Sequence, residues 1–151
     1  MKLIDLNLLI YAVNRDAPLH REARQWWEEC LSDTEIIGLA WVVILGFLRI
    51  TTSDRILPRP LTAEEAIRLM EEWLERPAVS VVSPTERHWD IFRQIIGPLG
   101  TAGNLTTDAH LAALAIENGA TLCSTDIDFA RFPMLRWVNP LNPRQPIPTK
   151  M

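Results

Sequence analysis

The sequence has few cysteines and no long apolar run, and both absences narrow the class of protein. Only two cysteines, Cys30 and Cys123, occur in 151 residues; they lie far apart and form no CxxC pair, so neither a zinc site nor a disulfide framework is expected. No stretch of about eighteen uncharged apolar residues exists, and an acid at position 5 precedes any signal-peptide core. We therefore expect a cytoplasmic protein without a membrane partner, whose two thiols are buried and reduced.

Clustered positive charge is also lacking. The chain carries 15 Lys and Arg against 19 Asp and Glu, a formal net charge of -4. A protein that wraps nucleic acid with its whole surface needs clustered Lys and Arg, so the net charge argues against this mode of binding. A local site is not excluded, because a metal ion held by carboxylates supplies the positive charge that meets a phosphate.

Length and pattern predict one α/β domain. A chain of 151 residues with 48% hydrophobic residues suits one compact core. We place the domain at residues 1–139 and treat the proline-rich residues 140–151 as an extended or disordered tail. Predicted strands cover 2–5, 35–39, 78–82, 120–124 and 136–140. Predicted helices cover 6–13, 18–31, 40–52, 61–75, 85–96 and 105–119. This alternation predicts a mostly parallel central sheet with helices on both faces.

Several side chains have predicted structural roles in these elements. Thr62 begins a capping box for the fourth helix, and Thr106 or Thr107 is the predicted cap of the last helix. The six tryptophans stand mostly at apolar helical positions such as Trp73 and Trp89, which favours core packing over base stacking.

Aspartates gather where the predicted strands end. Asp5 ends the first strand, Asp126 and Asp128 follow the fourth strand in STDIDF, and Asp108 lies in the first turn of the last helix. Ligands bind beyond the carboxyl ends of parallel strands, so these side chains are expected at one rim. Carboxylates that close repel one another unless a cation offsets their charge. Oxygen ligands without His or Cys suit Mg²⁺ or Mn²⁺, and a water activated by such an ion can attack a phosphodiester.

Each acid also has a structural explanation. Asp5 or Asn7 can cap the helix that follows, and Asp108 favours the dipole of its own helix. Asp126 and Asp128 can shape a turn. Their joint placement at one rim is what favours chemistry over these separate roles.

Together the motifs resemble those of PIN domains of VapC type: D-x-N at Asp5 and Asn7, TTDAHLAALA around Asp108, and STDIDFARF around Asp126 and Asp128. The resemblance runs from residue 2 to about residue 139. It implies a three-layer α/β/α fold with a Mg²⁺ or Mn²⁺ site. It also implies an endoribonuclease that is the toxin of a toxin-antitoxin pair, forms homodimers and is inhibited by a cognate antitoxin.

The same resemblance assigns roles to single residues. It implies that Asp5, Asp108 and Asp126 hold the metal ion and that Asp128 is an auxiliary catalytic acid. Asn7 and Thr125 would support these acids through hydrogen bonds. Arg49 would hold a carboxylate or a phosphate.

One position departs from the family pattern. Three residues before Arg49 the family usually has Glu, and this chain has Gly46. The alternative is therefore a PIN-like protein that binds RNA or an antitoxin with weak or no cleavage. A haloacid-dehalogenase type of phosphatase needs a second Asp at position 7, and a receiver domain needs a late lysine that is found only in the tail. His20, His88 and His110 are predicted to take no part in the acidic site.

Overall fold

The computed structural model describes residues 1–142 and contains five strands and six helices within that range. The strands are β1 (Lys2–Ile4), β2 (Ile37–Ala40), β3 (Val79–Val82), β4 (Thr121–Cys123) and β5 (Trp137–Val138). The helices are α1 (Leu6–Val13), α2 (His20–Ser32), α3 (Trp41–Thr51), α4 (Ala63–Leu74), α5 (His88–Ile96) and α6 (Thr106–Glu117). Most of the predicted tail, 140–151, lies outside the described residues.

The five strands form one parallel sheet in the order β3-β2-β1-β4-β5. From β1 the chain moves outward through α1 to α4, and it returns through α5 and α6 to β4 on the other side of β1. Right-handed crossovers in opposite directions place the two groups of helices on opposite faces of the sheet. The predicted three-layer α/β/α fold with a parallel sheet is thus confirmed.

Strand burial follows from this arrangement. All four residues of β2 are buried, and Leu3 and Ile4 of β1 have no solvent exposure. A strand covered by helices on both faces has no polar alternation, which explains the apolar runs in the sequence. On the α1 to α4 face, Trp73 packs edge-on against Trp27 with ring centroids 5.4 Å apart, and Phe47 lies 5.1 Å from Trp73 on its other side.

Two local predictions are wrong. Thr106 and Thr107 lie inside α6, whose N-cap residue is Leu105, and the cap makes no side-chain hydrogen bond. Trp89 is not a core residue, because 67% of it is exposed at the start of α5. The capping box of Thr62 and Glu65 on α4 is present as predicted, and both cysteines are buried. Within residues 1–142 no helix is long and apolar enough to cross a membrane.

Candidate metal centre

The pairing of β1 with β4 brings the first acid to the rim of the sheet. Ile4 is in register with Cys123, and the Asp5 N–H donates to the Cys123 carbonyl at 2.9 Å. The residues after the two strands, Asp5 and Ser124, are therefore neighbours. Ser124 Oγ donates to Asp5 Oδ2 at 2.6 Å, and the N–H of Leu6 donates to Asp5 Oδ1 at 2.7 Å. Asp5 is thus both the cap of α1 and part of the rim.

Ser124 also fixes the second acid. Its Oγ accepts the Asp126 N–H at 3.0 Å, and Asp126 Oδ1 in turn accepts the Asp128 N–H at 2.9 Å. Ser124 is fully buried. The sequence reasoning missed this residue, although a Ser two positions before an Asp is a turn signal that could have identified it.

The third part of the rim comes from α6. Asp108 lies in its first turn, and carboxylate oxygens of Asp108, Asp126 and Asp128 all lie within 4.8 Å of one another. Burial, then the negative charges of Asp126 and Asp5, raise the pKa of Asp108 to about 6. Within the described residues Asp108 has no hydrogen-bond or ion-pair partner, so nothing in the described chain neutralises its charge.

Asp5 is part of the same electrostatic group but is more buried. Burial is the main reason why its pKa is raised, and Asp126 adds to the effect, whereas the hydrogen bonds from Ser124 and Leu6 oppose it. Asp5, Asp108 and Asp126 line one cavity of about 460 Å³. The structure therefore brings all four predicted acids to one rim, with Asp128 rather than Asp5 completing the tightest set of three.

Asn7, like Asp108, has a polar side-chain atom without a partner in the described chain. Its Nδ2 donates to Thr125 Oγ1 at 2.8 Å, which joins the two residues that were predicted to support the acids. Asn7 lines the same cavity, and its Oδ1 is buried and has no hydrogen-bond partner within the described residues. A buried polar atom without a partner is costly, so a group that completes it is expected here.

The donor set fits a divalent cation. The group consists of hard oxygen donors, and no His or Cys belongs to it. The donors are three carboxylates with oxygens within 4.8 Å of one another, a fourth carboxylate beside them and the unpartnered amide oxygen of Asn7. Hard divalent ions prefer such donors. The individual roles assigned to Asp5, Asp108, Asp126, Asp128, Asn7, Thr125 and Arg49 stay predictions.

At Gly46, where the family usually has Glu, the side chain of Leu6 packs against the bare backbone of α3. A Cβ on Gly46 would lie 2.6 Å from Leu6 Cδ2. One turn later, the exposed Arg49 lines the same cavity and has no ion-pair partner within residues 1–142. Arg15 lines a different groove, together with Asp16 and Arg59.

These features define an α/β domain whose acids gather beyond the carboxyl ends of the central strands. A family model described as PIN domain matches residues 2–134. The chain therefore belongs to the PIN domain family.

Known relatives extend this result over almost the whole chain. Ribonuclease VapC37 of Mycobacterium tuberculosis is 44% identical over 140 residues, which covers 93% of this chain and 97% of the relative. Ribonuclease VapC33 of the same species is 46% identical over 137 residues, covering 91% and 96%.

Solved structures agree on the fold. VapBC-1 from nontypeable Haemophilus influenzae superposes with a TM-score of 0.69 at 19% identity, covering 93% of this chain and 98% of that one. VapBC2 from Rickettsia felis, bound to a DNA fragment from its promoter, gives a TM-score of 0.68 at 19% identity, covering 91% and 97%.

Proposed function

We propose that this protein is a metal-dependent endoribonuclease, the toxin of a VapBC-type toxin-antitoxin pair. The observation that carries the proposal is the set of three carboxylates, those of Asp108, Asp126 and Asp128, whose oxygens lie within 4.8 Å of one another. Asp108 and Asp126 of this set line an open cavity together with Asp5 at the rim of the sheet. Two relatives at 44% and 46% identity are named as VapC ribonucleases, which supports RNA as the substrate. Acids so close together repel one another unless a cation offsets their charge.

Asp108, Asp126 and Asp128 would hold Mg²⁺ or Mn²⁺, with Asp5 beside them. When bound, the ion supplies positive charge to the phosphoryl group and lowers the pKa of a nearby water. Hydrolysis would join a water oxygen to phosphorus and break the bond between phosphorus and the leaving sugar oxygen, which would take up the proton that the water loses. Asn7 Oδ1 can accept a hydrogen bond from water in the cavity, and the Arg49 guanidinium can bind a phosphate oxygen. Ser124 and Thr125 position Asp5, Asp126 and Asn7.

We propose an antitoxin protein as the partner and the cytoplasm as the place of action, since RNA and antitoxin meet there. The structural neighbours described above are VapBC complexes, which supports a partner of this kind. We also propose a homodimer. Trp41 and Leu45 on α3 are 55% and 59% exposed, and large apolar side chains at the surface favour association with another chain.

A second candidate is a PIN-like protein that binds RNA or an antitoxin without cutting. The observation behind it is Gly46 in place of the usual Glu, at a position where a Cβ would lie 2.6 Å from Leu6 Cδ2. The named relatives do not favour this alternative, because both are ribonucleases by name.

The test is cleavage of total cellular RNA by purified protein freed of any partner, with Mg²⁺, with Mn²⁺ and with a chelator. Asp108→Asn is the test variant, and Asp33→Asn, an exposed acid at the end of α2, is the matched control. We expect wild type and the Asp33→Asn control to cleave RNA only when the metal is present. Cleavage by Asp108→Asn should fall by more than about 100-fold, which exceeds the loss seen when a residue that only supports a metal ligand is removed. RNA binding without cleavage by folded wild type with either metal would favour the second candidate.

A further inference from the structure

A second cavity of about 410 Å³ lies beside the candidate metal centre, and the chemistry proposed above does not use it. Its walls include His88, Trp89 and Phe92 of α5 and His110 of α6. Val42 and Thr107 line both this cavity and the acidic one. An extended ligand bound at the acids can therefore continue into the second cavity across these two shared residues.

One wall of the cavity is aromatic. The rings of Trp89 and Phe92 are stacked with centroids 5.9 Å apart and an interplanar angle of 27°. The His88 ring stacks on Phe92 with an angle of 24°. Helical spacing accounts for the series, because residues three and four positions apart share a face of α5. Trp89 is 67% exposed, so a large ring remains open for a further flat partner.

A chain of hydrogen-bonded polar side chains ends in the same cavity. The side chain of Glu117 has no solvent exposure and accepts hydrogen bonds from the Thr85 N–H and from His88 Nδ1, both at 2.9 Å. His88 Nε2 lies 2.9 Å from His110 Nδ1. Because a carboxylate only accepts, His88 Nδ1 carries a hydrogen, and in the neutral pair His88 Nε2 accepts from His110 Nδ1.

These hydrogen bonds determine whether His110 Nε2, the last nitrogen of the chain, donates or accepts. His110 Nε2 is left as a hydrogen-bond acceptor, has no partner within residues 1–142 and is not among the buried unpartnered atoms. A ring nitrogen held in one orientation by half-buried His88, which is itself bonded to the Glu117 carboxylate, is suited to recognise a donor group.

We propose that this cavity binds a base of the RNA strand next to the phosphate that is cut, with Trp89 stacking on the base and His110 Nε2 accepting a hydrogen bond from its edge. The inference rests on the proposed ribonuclease function and adds a subsite that selects sequence around the cut. Single-stranded RNA is recognised by this combination of aromatic stacking and edge hydrogen bonds.

The observations favour a base over the surface of a second copy of this chain. The cavity is open to solvent and shares Val42 and Thr107 with the acidic cavity, and it joins a flat aromatic wall to one fixed polar atom. A base is flat and has N–H groups only at its edge.

The first experiment is photocrosslinking in chelator, so that no cleavage is needed. RNA that contains 4-thiouridine is irradiated with wild-type protein and digested with trypsin, which cuts after Arg87 and Arg93. The peptide 88–93 (HWDIFR) carries the aromatic wall of the cavity. We expect crosslinked nucleotide on this peptide and its loss in Trp89→Ala. Crosslinks confined to other peptides overturn the subsite and leave RNA binding intact, whereas no crosslink anywhere in the protein contradicts both proposals.

The second experiment measures cleavage of a short RNA that wild type cuts. In Trp89→Ala we expect KM to rise by about 5- to 150-fold, the range given by loss of one base stack, with little change in kcat. His110→Ala should lose preference among bases next to the cut, and His110→Gln, which keeps an acceptor, should recover part of it. Trp26→Ala, an aromatic change on α2 outside both cavities, is the control and should leave KM and the cut sites unchanged.

Light scattering on the same variants tests the competing occupant. If Trp89→Ala converts a dimer into monomers, the wall is covered by a second copy and the base subsite is overturned. An unchanged mass with a raised KM supports the subsite. Unchanged KM and cut sites in both Trp89→Ala and His110→Ala, with active wild type, also overturn it.

Discussion

Leu6 and Gly46 fit one against the other: a Cβ at position 46 would lie 2.6 Å from Leu6 Cδ2, closer than carbon atoms approach without movement. The side chain on α1 and the bare backbone on α3 therefore belong together. A residue with a side chain at position 46 requires Leu6 to move, and both residues line the cavity of the candidate metal centre.

Coupling between these two positions is the first prediction. Gly to Ala inside a helix normally stabilises by about 1 kcal/mol. In wild type we expect Gly46→Ala to give no such gain, because moving Leu6 off its rotamer costs about 0.5 to 1.5 kcal/mol. In a Leu6→Ala background the same change should stabilise by about 0.5 to 1 kcal/mol. Urea unfolding of the four proteins measures the difference, and equal effects in both backgrounds would contradict the close contact.

The raised pKa of Asp108 predicts how stability changes with pH in chelator. A carboxyl with a pKa of about 6 in the fold and about 4 in the unfolded chain contributes stability at low pH. This contribution is lost as pH rises from about 4 through 6, because the folded protein holds the proton more tightly. We therefore expect Asp108→Asn to be more stable than wild type at pH 7.5 and equal to it below about pH 4.

Mg²⁺ should reverse this order at pH 7.5. An ion that binds only the folded state stabilises it, so wild type should gain melting temperature with increasing Mg²⁺, while Asp108→Asn gains little. Differential scanning fluorimetry with and without chelator measures both effects. A wild-type melting temperature that changes with neither Mg²⁺ nor Mn²⁺ would contradict the metal centre.

Ser124 is predicted to matter for stability and for activity. Ser124→Ala removes the donor to Asp5 Oδ2 and the acceptor of the Asp126 N–H in a fully buried place. We expect a loss of about 1 to 3 kcal/mol in unfolding free energy, as for a buried group left without its partner. Activity should fall by about 10- to 100-fold, as when a residue that orients a metal ligand is removed.

The matched control is Ser32→Ala. Ser32 is exposed on α2, and its Oγ donates only to the Glu28 carbonyl at 3.0 Å. We expect a change within about 0.5 kcal/mol and full activity. Similar losses in the two variants would mean that Ser124 has no special role at the rim.

Arg49 is predicted to contact phosphate. Each phosphate contact to a single strand contributes about 0.7 to the slope of log K against log salt concentration. We expect Arg49→Ala to reduce that slope by about this amount when RNA binding is titrated in chelator. Arg68→Ala, an exposed arginine on α4 paired with Glu64, is the control and should leave the slope unchanged.

The acidic rim could be predicted from the sequence because it depends only on where parallel strands end. Asp5 and Asp126 follow short apolar runs, and runs of that kind predict strands whose carboxyl ends share an edge. The hydrogen bond between His88 and His110 could not be predicted, since it depends on how α5 and α6 are rotated relative to each other. The prediction for Trp89 failed for the same reason: helical spacing defines a face of α5 but not where the edge of that face lies.

The hydrogen bond between Ser124 and Asp5 joins residues 119 positions apart in the chain. During synthesis β1 emerges first, and its partner β4 follows more than a hundred residues later. A nascent chain can form its early helices, but it cannot complete the acidic rim until residues 121–128 have left the ribosome.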